Sequence, residues 1–323
     1  MSNEIKILFD TDIGCDCDDA GAMAVLHELA NQGECSILAV THCCAGEYNA
    51  GCIDAINRYF GRPEIPVGMF HPEDHVVTQW RDVYARSVAR RFPNRFSSGK
   101  ACPGTVEVLR AALAKAEDGE VTFVAAGSLY SMARLLESPP DEISPLSGEE
   151  LIRRKILRTV VMGGRFHSQW PQPVFVGDNY RVDAEFNILC DIPVTRKVCD
   201  RWPGELVLCS YEIGPALHTG ARLQTRGNPE NPVRACYEFW GKESGDIGRE
   251  SWDLATMLYA IRPSAGYWKL HEYGRIRISE DGITLWEKDS VGRQTFLIGN
   301  APVEEIYQVL EQLLNADEMR RHG

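Results

Sequence analysis

Five aspartates lie within ten consecutive positions near the start of the chain. They are Asp10, Asp12, Asp16, Asp18 and Asp19, in the stretch ILFDTDIGCDCDDAGAM. Carboxylates held a few ångströms apart oppose one another's ionisation unless a cation or a proton lies among them. The spacing therefore predicts that positive charge belongs at this loop.

Helix capping and metal binding are the two explanations for this cluster. Asp18 and Asp19 open a predicted helix, where acidic side chains cap the first turn and complement the helix dipole. Capping accounts for one or two carboxylates, whereas a hard divalent cation accounts for the rest, and Ca²⁺ accepts more protein oxygens than Mg²⁺. The loop lacks the Gly and Glu spacing of an EF-hand. We therefore expect a Ca²⁺ site of another kind.

Strand and helix patterns alternate along the chain. Short apolar runs such as ILF, SILAVTH, VTFVAAG and LRTVVMGG are separated by helical patterns. This alternation predicts one α/β domain over residues 1–323, with a mainly parallel, Rossmann-like sheet and helices on both faces. The polar stretch 138–150 is interpreted as a surface connection. Ligands of such sheets bind at the carboxyl ends of the strands, where the aspartate loop begins.

The same pattern places the aspartates on particular elements. Asp10 and Asp12 end an extended segment and are predicted to share one face of it. In the helix that follows, the predicted buried stripe consists of Ala22, Met23, Leu26, Leu29 and Ala30.

Composition excludes several classes of partner. The chain has 323 residues and a net charge of −12, which opposes nucleic-acid binding. No apolar stretch reaches the ~18 residues of a membrane span, and no secretory leader is evident, so we expect a soluble cytoplasmic protein. The 11 cysteines are interpreted as reduced core thiols, including Cys15 and Cys17 in the acidic loop. A neutral or cationic ligand is easier to admit than a polyphosphate, and the sequence is compatible with a homo-oligomer.

The stretch DTDIGCDCDDAGAM resembles the amino-terminal signature of the inosine-uridine preferring nucleoside hydrolase family, D-x-D-P-G-x-D-D-A-x-A. Isoleucine replaces the proline, and two extra residues precede the final aspartate pair. Three later segments follow in the family's order: VTFVAAGSL, VVMGG with DNYRVDAEFN, and SWDLATMLYA. The resemblance extends over most of the chain and implies the nucleoside hydrolase fold. It also implies Ca²⁺-dependent hydrolysis of an N-glycosidic bond, which yields free base and ribose.

The resemblance also implies a role for each matching acidic residue. Asp12 would bind Ca²⁺ and act as the base that activates a water molecule. Asp19 and Asp253 would complete the carboxylate ligands, and the backbone carbonyl of Ala126 would add another oxygen. Asp10 would support these ligands from behind. The chemistry is consistent, because a ring of carboxylates stabilises the cationic ribosyl group that forms when the bond breaks.

The ribose contacts follow from the same resemblance. Asp18 would hold the 2′-hydroxyl and Asn187 the 3′-hydroxyl. The region of the 5′-hydroxyl would be bound by three further residues, Asn179, Glu185 and Met162. Asp16 is an alternative to Asp18 when the signature is aligned from the glycine. We prefer Asp18, because the D-D-A pair opens the helix.

Several positions depart from the family pattern. Trp252 stands where the family often has histidine, and its indole cannot act as a general acid of suitable pKa. It is interpreted either as a stacking partner for the base or as a core residue. Cys44 and Ala45 replace the family's G-N, so one ribose contact is lost or supplied from elsewhere. The segment 70–103 is either a lid over the base or an ordinary exposed helix.

Histidines in loops are the remaining candidates for contact with the leaving group. They are His42, His71, His75 and His167. By default each is a packing or surface residue.

Two other functions remain open from sequence. A haloacid-dehalogenase-like phosphatase also opens with a strand and D-x-D, and GDNYRVD at 177–183 is similar to its late acidic motif. Gly14 and the D-D-A pair argue against it. A non-catalytic nucleoside or sugar binder on the same scaffold is the other alternative, favoured by Trp252 and Ala45 and opposed by the intact Asp12.

Overall fold

Ten strands of the chain form one central sheet. In this computed structural model, residues 4–71, 82–166, 174–176, 179–181 and 184–317 are described. The strands of the sheet are β1 (Ile5–Thr11), β2 (Cys35–His42), β3 (Val67–Met69), β4 (Val121–Ala126), β5 (Ile156–Met162), β8 (Leu206–Cys209), β11 (Trp268–Leu270), β12 (Gly274–Ile278), β13 (Thr284–Lys288) and β14 (Gln294–Gly299).

Two short antiparallel pairs lie outside this sheet. They are β6 (Val174–Val176) with β7 (Asn179–Arg181), and β9 (His218–Thr219) with β10 (Arg249–Glu250). Thus the GDNYRVD stretch contributes to a short hairpin rather than to the central sheet.

The order of strands in the sheet determines where a ligand can bind. The order is β13-β12-β14-β8-β5-β4-β1-β2-β3, and every neighbouring pair from β14 through β8 to β3 is parallel. From β1 the chain proceeds outward to β2 and β3, then returns to β4 on the other side of β1. The carboxyl ends of β1 and β4 therefore flank a topological switch point, the usual ligand position in such sheets.

The helices connect the strands and cover the sheet. They are α1 (Asp18–Asn31), α2 (Asn49–Tyr59), α3 (Ala85–Arg91), α4 (Thr105–Lys115), α5 (Tyr130–Glu137), α6 (Gly148–Lys155), α7 (Phe186–Cys190), α8 (Ile192–Arg201), α9 (Ala221–Arg226), α10 (Pro232–Ser244), α11 (Trp252–Ile261) and α12 (Val303–Leu314). Short 3₁₀ helices lie at Gly99–Ala101 and Gly214–Ala216. None of the helices in the described ranges is both long and apolar enough to cross a membrane.

Two hydrophobic cores lie on opposite faces of the sheet. Along β1, Ile7 and Phe9 belong to the core that contains α1, α10 and α11, whereas Leu8 belongs to the core that contains α4, α5 and α8. This alternation follows from the two-residue period of a strand. The predicted parallel α/β fold with helices on both faces is thereby confirmed. Of the predicted connection, residues 138–147 link α5 to α6, and the last three residues begin α6.

Helix α1 is buried more completely than its sequence pattern predicted. Every residue from Asp18 to Leu29 is buried, while Ala30 is only half-buried. The prediction of a single buried stripe was too narrow, because α1 packs against helices on several sides, including α2, α10, α11 and α12. Consequently its first-turn aspartates are held inside the protein.

The cysteines agree with the expectation of reduced core thiols. All eleven lie within the described residues and none forms a disulfide. Nine are buried, while Cys15 and Cys190 are partly exposed.

Close packing of α1 on α11 depends on Gly21. A Cβ at this position would lie 2.5 Å from Tyr237 Oη and 2.8 Å from Leu254 Cδ1. We expect Gly21→Ala to lower the free energy of unfolding by about 1–3 kcal/mol, the usual cost of overpacking a core. Urea unfolding measures this, with Gly299→Ala as control because a Cβ there meets no atom within 4 Å. An equal effect of the two substitutions would contradict the packing argument.

Candidate active site

The strand ends at the switch point carry the first carboxylates of the site. Asp10 is the penultimate residue of β1 and accepts a hydrogen bond of 2.5 Å from Thr41 Oγ1 on β2. Thr11 pairs in register with His42 on one side and with Ala126 on the other. Its hydroxyl donates to Asp19 at the start of α1. Hydroxyl donors on β1 and β2 thus orient two of the predicted acidic residues.

The loop between β1 and α1 is held by side chains that bind its backbone. Gly14 N–H donates to Tyr84 Oη at 2.9 Å, and that hydroxyl donates to the carbonyl of Asp16 at 2.5 Å. Asn49 Nδ2 donates to the carbonyl of Ile13 at 2.5 Å. Gly14 has φ +136°, a conformation that other residues rarely adopt. The backbone of the loop is therefore held by hydrogen bonds with Tyr84 and Asn49.

Three carboxylates converge beside this loop. Asp18 and Asp19 open α1, Asp253 lies in the first turn of α11, and one oxygen from each lies within 4.8 Å of the others. The Asp253 N–H donates to Asp18 Oδ2 at 3.2 Å. All three residues are buried. We call Asp18, Asp19 and Asp253 the acidic trio.

Burial and mutual repulsion raise the pKa of every carboxyl in the acidic trio. For Asp18 the largest cause is burial, followed by the neighbouring Asp16 charge. For Asp19 burial is followed by the charge of Asp12, and for Asp253 by that of Asp18. Bringing all these groups to the charged state requires a compensating positive charge.

Asp12 lies next to the acidic trio rather than within it. Its side chain packs closely on Gly127, where an added Cβ would lie 3.0 Å from Asp12 Cγ. Burial, together with the charge of Asp16, raises the pKa of Asp12 to about 7, although a hydrogen bond with Asp19 opposes the shift. An acceptor with a pKa near neutrality can take a proton from water at physiological pH.

The acidic trio fits a hard divalent cation. Its donors are carboxylate oxygens, the ligands that Ca²⁺ and Mg²⁺ prefer, and they come from two helix starts that are already close together. The sequence analysis named Asp12, Asp19, Asp253 and the carbonyl of Ala126 as ligands. In the structure the three converging carboxylates include Asp18 and not Asp12. Ala126 is the last residue of β4, at the same edge of the sheet.

The residues predicted to bind the 5′ side of ribose are connected by several hydrogen bonds. Glu185 is the N-cap of α7 and accepts bonds from the N–H groups of Asn187 at 2.8 Å, Ile188 at 3.1 Å and Gly164 at 3.2 Å. Asn187 Nδ2 donates to the carbonyl of Met162 at 3.2 Å. Asn179 belongs to β7, and its side chain is outside the described part of the structure. Glu185, Asn187 and Met162 therefore form one unit at the end of β5.

Trp252 is held by its surroundings at the start of α11. Its Nε1–H donates to the carbonyl of Tyr211 at 2.9 Å, and the ring centroids of the two residues are 5.6 Å apart. A Cβ on Gly214 would lie 2.2 Å from Trp252 Cδ1, so the indole packs directly on this glycine. The indole N–H is therefore already used within the protein.

The four loop histidines predicted as candidates differ in their surroundings. His42 is buried with Nε2 3.1 Å from the Ile13 carbonyl and Nδ1 2.7 Å from the Cys44 carbonyl, and burial lowers its pKa. His71 Nε2 is 2.9 Å from the carbonyl of Cys102. His75 and His167, like Trp80 of the 70–103 segment, lie outside the described residues. That segment includes the short helix α3, and its lid role stays a prediction.

A cavity of about 550 Å³ opens beside the aspartate loop. Its walls include Gly14 and His42 near the loop, Ala45 and Tyr48 after β2, and Lys100 opposite. Cavities of this size accommodate small organic ligands. The position of the family's ribose-binding asparagine, here Ala45, lines this cavity without offering a polar side chain.

Sequence reasoning missed Arg249 and Tyr84. Arg249 binds both carboxylate oxygens of Asp16, with Nε 2.9 Å from each and Nη2 2.5 Å from Oδ2. Its position, two residues before the quoted SWDLATMLYA stretch, was the available signal. No local pattern pointed to Tyr84, which is brought to the loop only by the tertiary fold.

Comparison with protein families identifies the chain. The sequence model of the inosine-uridine preferring nucleoside hydrolase family matches residues 7–296. The chain belongs to this family. The predicted resemblance is thereby confirmed, and family membership argues against the phosphatase alternative. Comparison with curated proteins gives no significant match.

Solved structures of low sequence identity share the fold of this nucleoside hydrolase family member. The inosine-uridine preferring nucleoside hydrolase of Bacillus anthracis is 18% identical, with a TM-score of 0.71 and coverage of 96% of this chain and 99% of that one. A plant nucleoside hydrolase is 19% identical, with a TM-score of 0.69 and coverage of 97% and 99%.

A type III effector of the same fold has been solved with a ligand. It is XopQ, complexed with adenosine diphosphate ribose, at 14% identity, a TM-score of 0.66 and coverage of 98% of this chain and 95% of that one. At these identities the likeness establishes the architecture of the chain as that of a divergent nucleoside hydrolase.

Glu185 provides a test of the site's electrostatics. Burial raises the pKa of Glu185 to about 7. Between the ordinary glutamate pKa and about pH 7, the native state therefore retains a proton that the unfolded state has lost. This contribution to stability is present below the ordinary glutamate pKa and is lost as pH rises through about 7. We expect Glu185→Gln to reduce the fall in unfolding free energy between pH 5 and pH 8.

Urea unfolding at four pH values without divalent ions measures this slope. The exposed Glu149→Gln serves as control and should retain the wild-type slope. A Glu185→Gln variant with the wild-type slope would mean that the Glu185 carboxyl stays ionised in the native state.

Proposed function

We propose that this protein hydrolyses the N-glycosidic bond of a ribonucleoside or related N-riboside, releasing free base and ribose with the help of a bound Ca²⁺. The observation that carries the proposal is the placement of Asp12 directly beside the buried acidic trio at the switch point of the sheet. Family membership supports the same reaction class.

Asp12 is the proposed base. Its carboxylate would accept one proton of the attacking water while the water oxygen bonds to the anomeric carbon. The electron pair of the breaking N-glycosidic bond would leave with the base, which would take its proton from solvent. Without a bound cation, burial raises the pKa of Asp12 to about 7, so this carboxylate has a high affinity for a proton. Ca²⁺ held by Asp12, Asp19, Asp253 and the carbonyl of Ala126, beside Asp18, would supply positive charge that orients the ribose hydroxyls and lowers the pKa of water.

The remaining residues would position ribose and stabilise its developing charge. Asp18 is proposed for the 2′-hydroxyl, because Asp16 is already paired with Arg249. Asn187 is proposed for the 3′-hydroxyl, and Glu185 with Met162 and Asn179 for the 5′ region. A ring of carboxylates favours the oxocarbenium-like transition state over the neutral substrate, and this difference is what accelerates bond breaking.

The cavity beside the loop is the proposed room for the leaving base. It adjoins Gly14 and His42, so a base attached to ribose at the carboxylates would point toward it. A ligand needs no polyphosphate chain to occupy the carboxylates and this cavity.

Binding without turnover is a second candidate function. It is favoured by the absence of an available acid at two expected positions, since the indole of Trp252 and both ring nitrogens of His42 contact the backbone. XopQ with bound adenosine diphosphate ribose is an example of a ligand complex on this fold.

Incubation with a substrate panel separates the two functions. The purified protein is mixed with Ca²⁺ and purine nucleosides, pyrimidine nucleosides, p-nitrophenyl riboside or adenosine diphosphate ribose. Released base and reducing sugar are then measured. Hydrolysis predicts stoichiometric release of both products, whereas ligand-induced stabilisation without release would support a binder and overturn the proposed hydrolysis.

Removal of divalent ions tests the metal. A cation held only by the folded protein stabilises it by mass action, so chelation should lower the melting temperature and abolish turnover. Addition of Ca²⁺ should restore both, and Mg²⁺ at the same concentration should restore less. Unchanged melting and activity after chelation would remove the cation from the proposal.

Replacement of Asp12 tests the base. Asp12→Asn should keep the fold but lower kcat by about 10²–10⁴, the usual contribution of general base catalysis. Steady-state kinetics with the best substrate measures the loss, and exposed Asp118→Asn is the control. A near-normal rate in the Asp12→Asn variant would assign the base elsewhere.

A further inference from the structure

Arg249 joins two segments of the site that are far apart in sequence. It lies on β10, 233 positions after Asp16, and its guanidinium binds both oxygens of the Asp16 carboxylate. Its Nη1 contacts Glu250 Oε2 at 2.5 Å. Burial alone would lower the pKa of Arg249, but the charge and hydrogen bonds of Asp16 raise it.

Two indole rings flank the same guanidinium. Its Cζ is 4.9 Å from the ring centroid of Trp240 on α10 and 4.9 Å from that of Trp252 on α11. Trp252 is in turn held by the Tyr211 carbonyl and by Gly214. The planar group therefore has a fixed orientation, which a flexible ammonium group at the same place would lack.

The segments that Arg249 joins are the ones that carry the acidic trio. Asp16 precedes Asp18 by two residues, and Trp252 immediately precedes Asp253. The Asp253 N–H bond to Asp18 and a side-chain hydrogen bond between Asp253 and Asp19 link α11 to α1, whereas the charges of Asp18 and Asp12 repel that of Asp253. A rigid bridge beside them counteracts this repulsion.

We propose that Arg249 is a positioning residue, which clamps the Asp16 loop to the Trp252–Asp253 turn and so maintains the spacing of the carboxylates that bind the cation. The inference rests on the proposed function for the identity of the cation, Ca²⁺. In this proposal Asp16 forms the clamp together with Arg249. The geometry of the guanidinium, and not its charge alone, carries the effect.

An effect of charge alone and an effect of the planar clamp predict different Ca²⁺ affinities for variants of Arg249. If only charge mattered, Arg249→Lys would bind Ca²⁺ like the wild type, and Arg249→Gln would bind it more tightly because a positive charge near the site is lost. If the planar clamp matters, both variants bind Ca²⁺ more weakly. Residues that orient metal ligands typically change metal affinity by about 10–100-fold when replaced.

Calorimetric titration of the full chain with Ca²⁺ decides between them. We expect Arg249→Lys and Arg249→Gln each to weaken Ca²⁺ binding by about 10-fold or more. The double variant Asp16→Asn with Arg249→Gln should be no weaker than Arg249→Gln, because both substitutions break one pair. Wild-type affinity in Arg249→Lys would overturn the proposal.

The matched control is Arg262, at the opposite end of α11. It also binds both oxygens of a partly buried acidic partner, Glu34, with contacts of 2.8 Å and 2.6 Å. Arg262→Lys should leave Ca²⁺ affinity unchanged, and an equal loss in this variant would reduce Arg249 to a general structural role and overturn the proposal.

A second variant keeps the test valid if Arg249→Lys fails to fold. Trp240→Phe preserves the ion pair but shrinks one flanking ring, and it should weaken Ca²⁺ binding in the same direction. Unchanged affinity in this variant would then overturn the clamp.

Failure of the clamp can be distinguished from failure of the proposed hydrolysis. A wild type that binds Ca²⁺ but releases no base would contradict hydrolysis and leave the affinity series decisive for Arg249. A wild type that binds no Ca²⁺ would overturn the clamp together with the metal.

Discussion

Repulsion among buried carboxylates is the constraint on which the rest of the site depends. Burial raises the pKa of Asp12, Asp18, Asp19 and Asp253, and the charges of Asp12 and Asp18 raise that of Asp253 further. An arrangement of this kind costs stability unless it is compensated. The surrounding structure supplies the compensation that a protein can provide by itself, and a divalent cation would supply the remainder.

Several features of the backbone and of neighbouring side chains keep the carboxylates in place. Tyr84 and Asn49 hold the loop through its backbone, and the positive φ of Gly14 allows the turn. Thr11 donates a hydrogen bond to Asp19. The amino-terminal end of α1 adds the favourable field of the helix dipole to its two first-turn aspartates. A site built in this way is preorganised before a ligand arrives.

The ring N–H groups beside the site are already engaged with the backbone. The Trp252 indole donates its N–H to the Tyr211 carbonyl, and both ring nitrogens of His42 lie against backbone carbonyls. In hydrolysis at such a site, stabilisation of the ribosyl cation would carry most of the acceleration. Bases that leave readily would then be favoured over poor leaving groups.

The sequence alone determined the fold class and the chemical character of the site. The two-residue alternation of β1 and the regular succession of strands and helices predict a parallel sheet, because these patterns are local consequences of backbone geometry. The density of aspartates after β1 predicts a cation, because electrostatic repulsion requires no knowledge of tertiary contacts. The late segments at 178–187 and 251–260 could be placed in order only through their resemblance to a family.

Only the tertiary structure decided which charged groups meet. Asp16 and Asp18 were alternatives for one role by spacing, and they separated when the fold brought Arg249 to Asp16 and Asp253 to Asp18. Tyr84 reached the loop in the same way. These contacts join positions up to 235 residues apart. No periodic pattern specifies such pairs, because they result from the packing of α11 and β10 against the loop after β1.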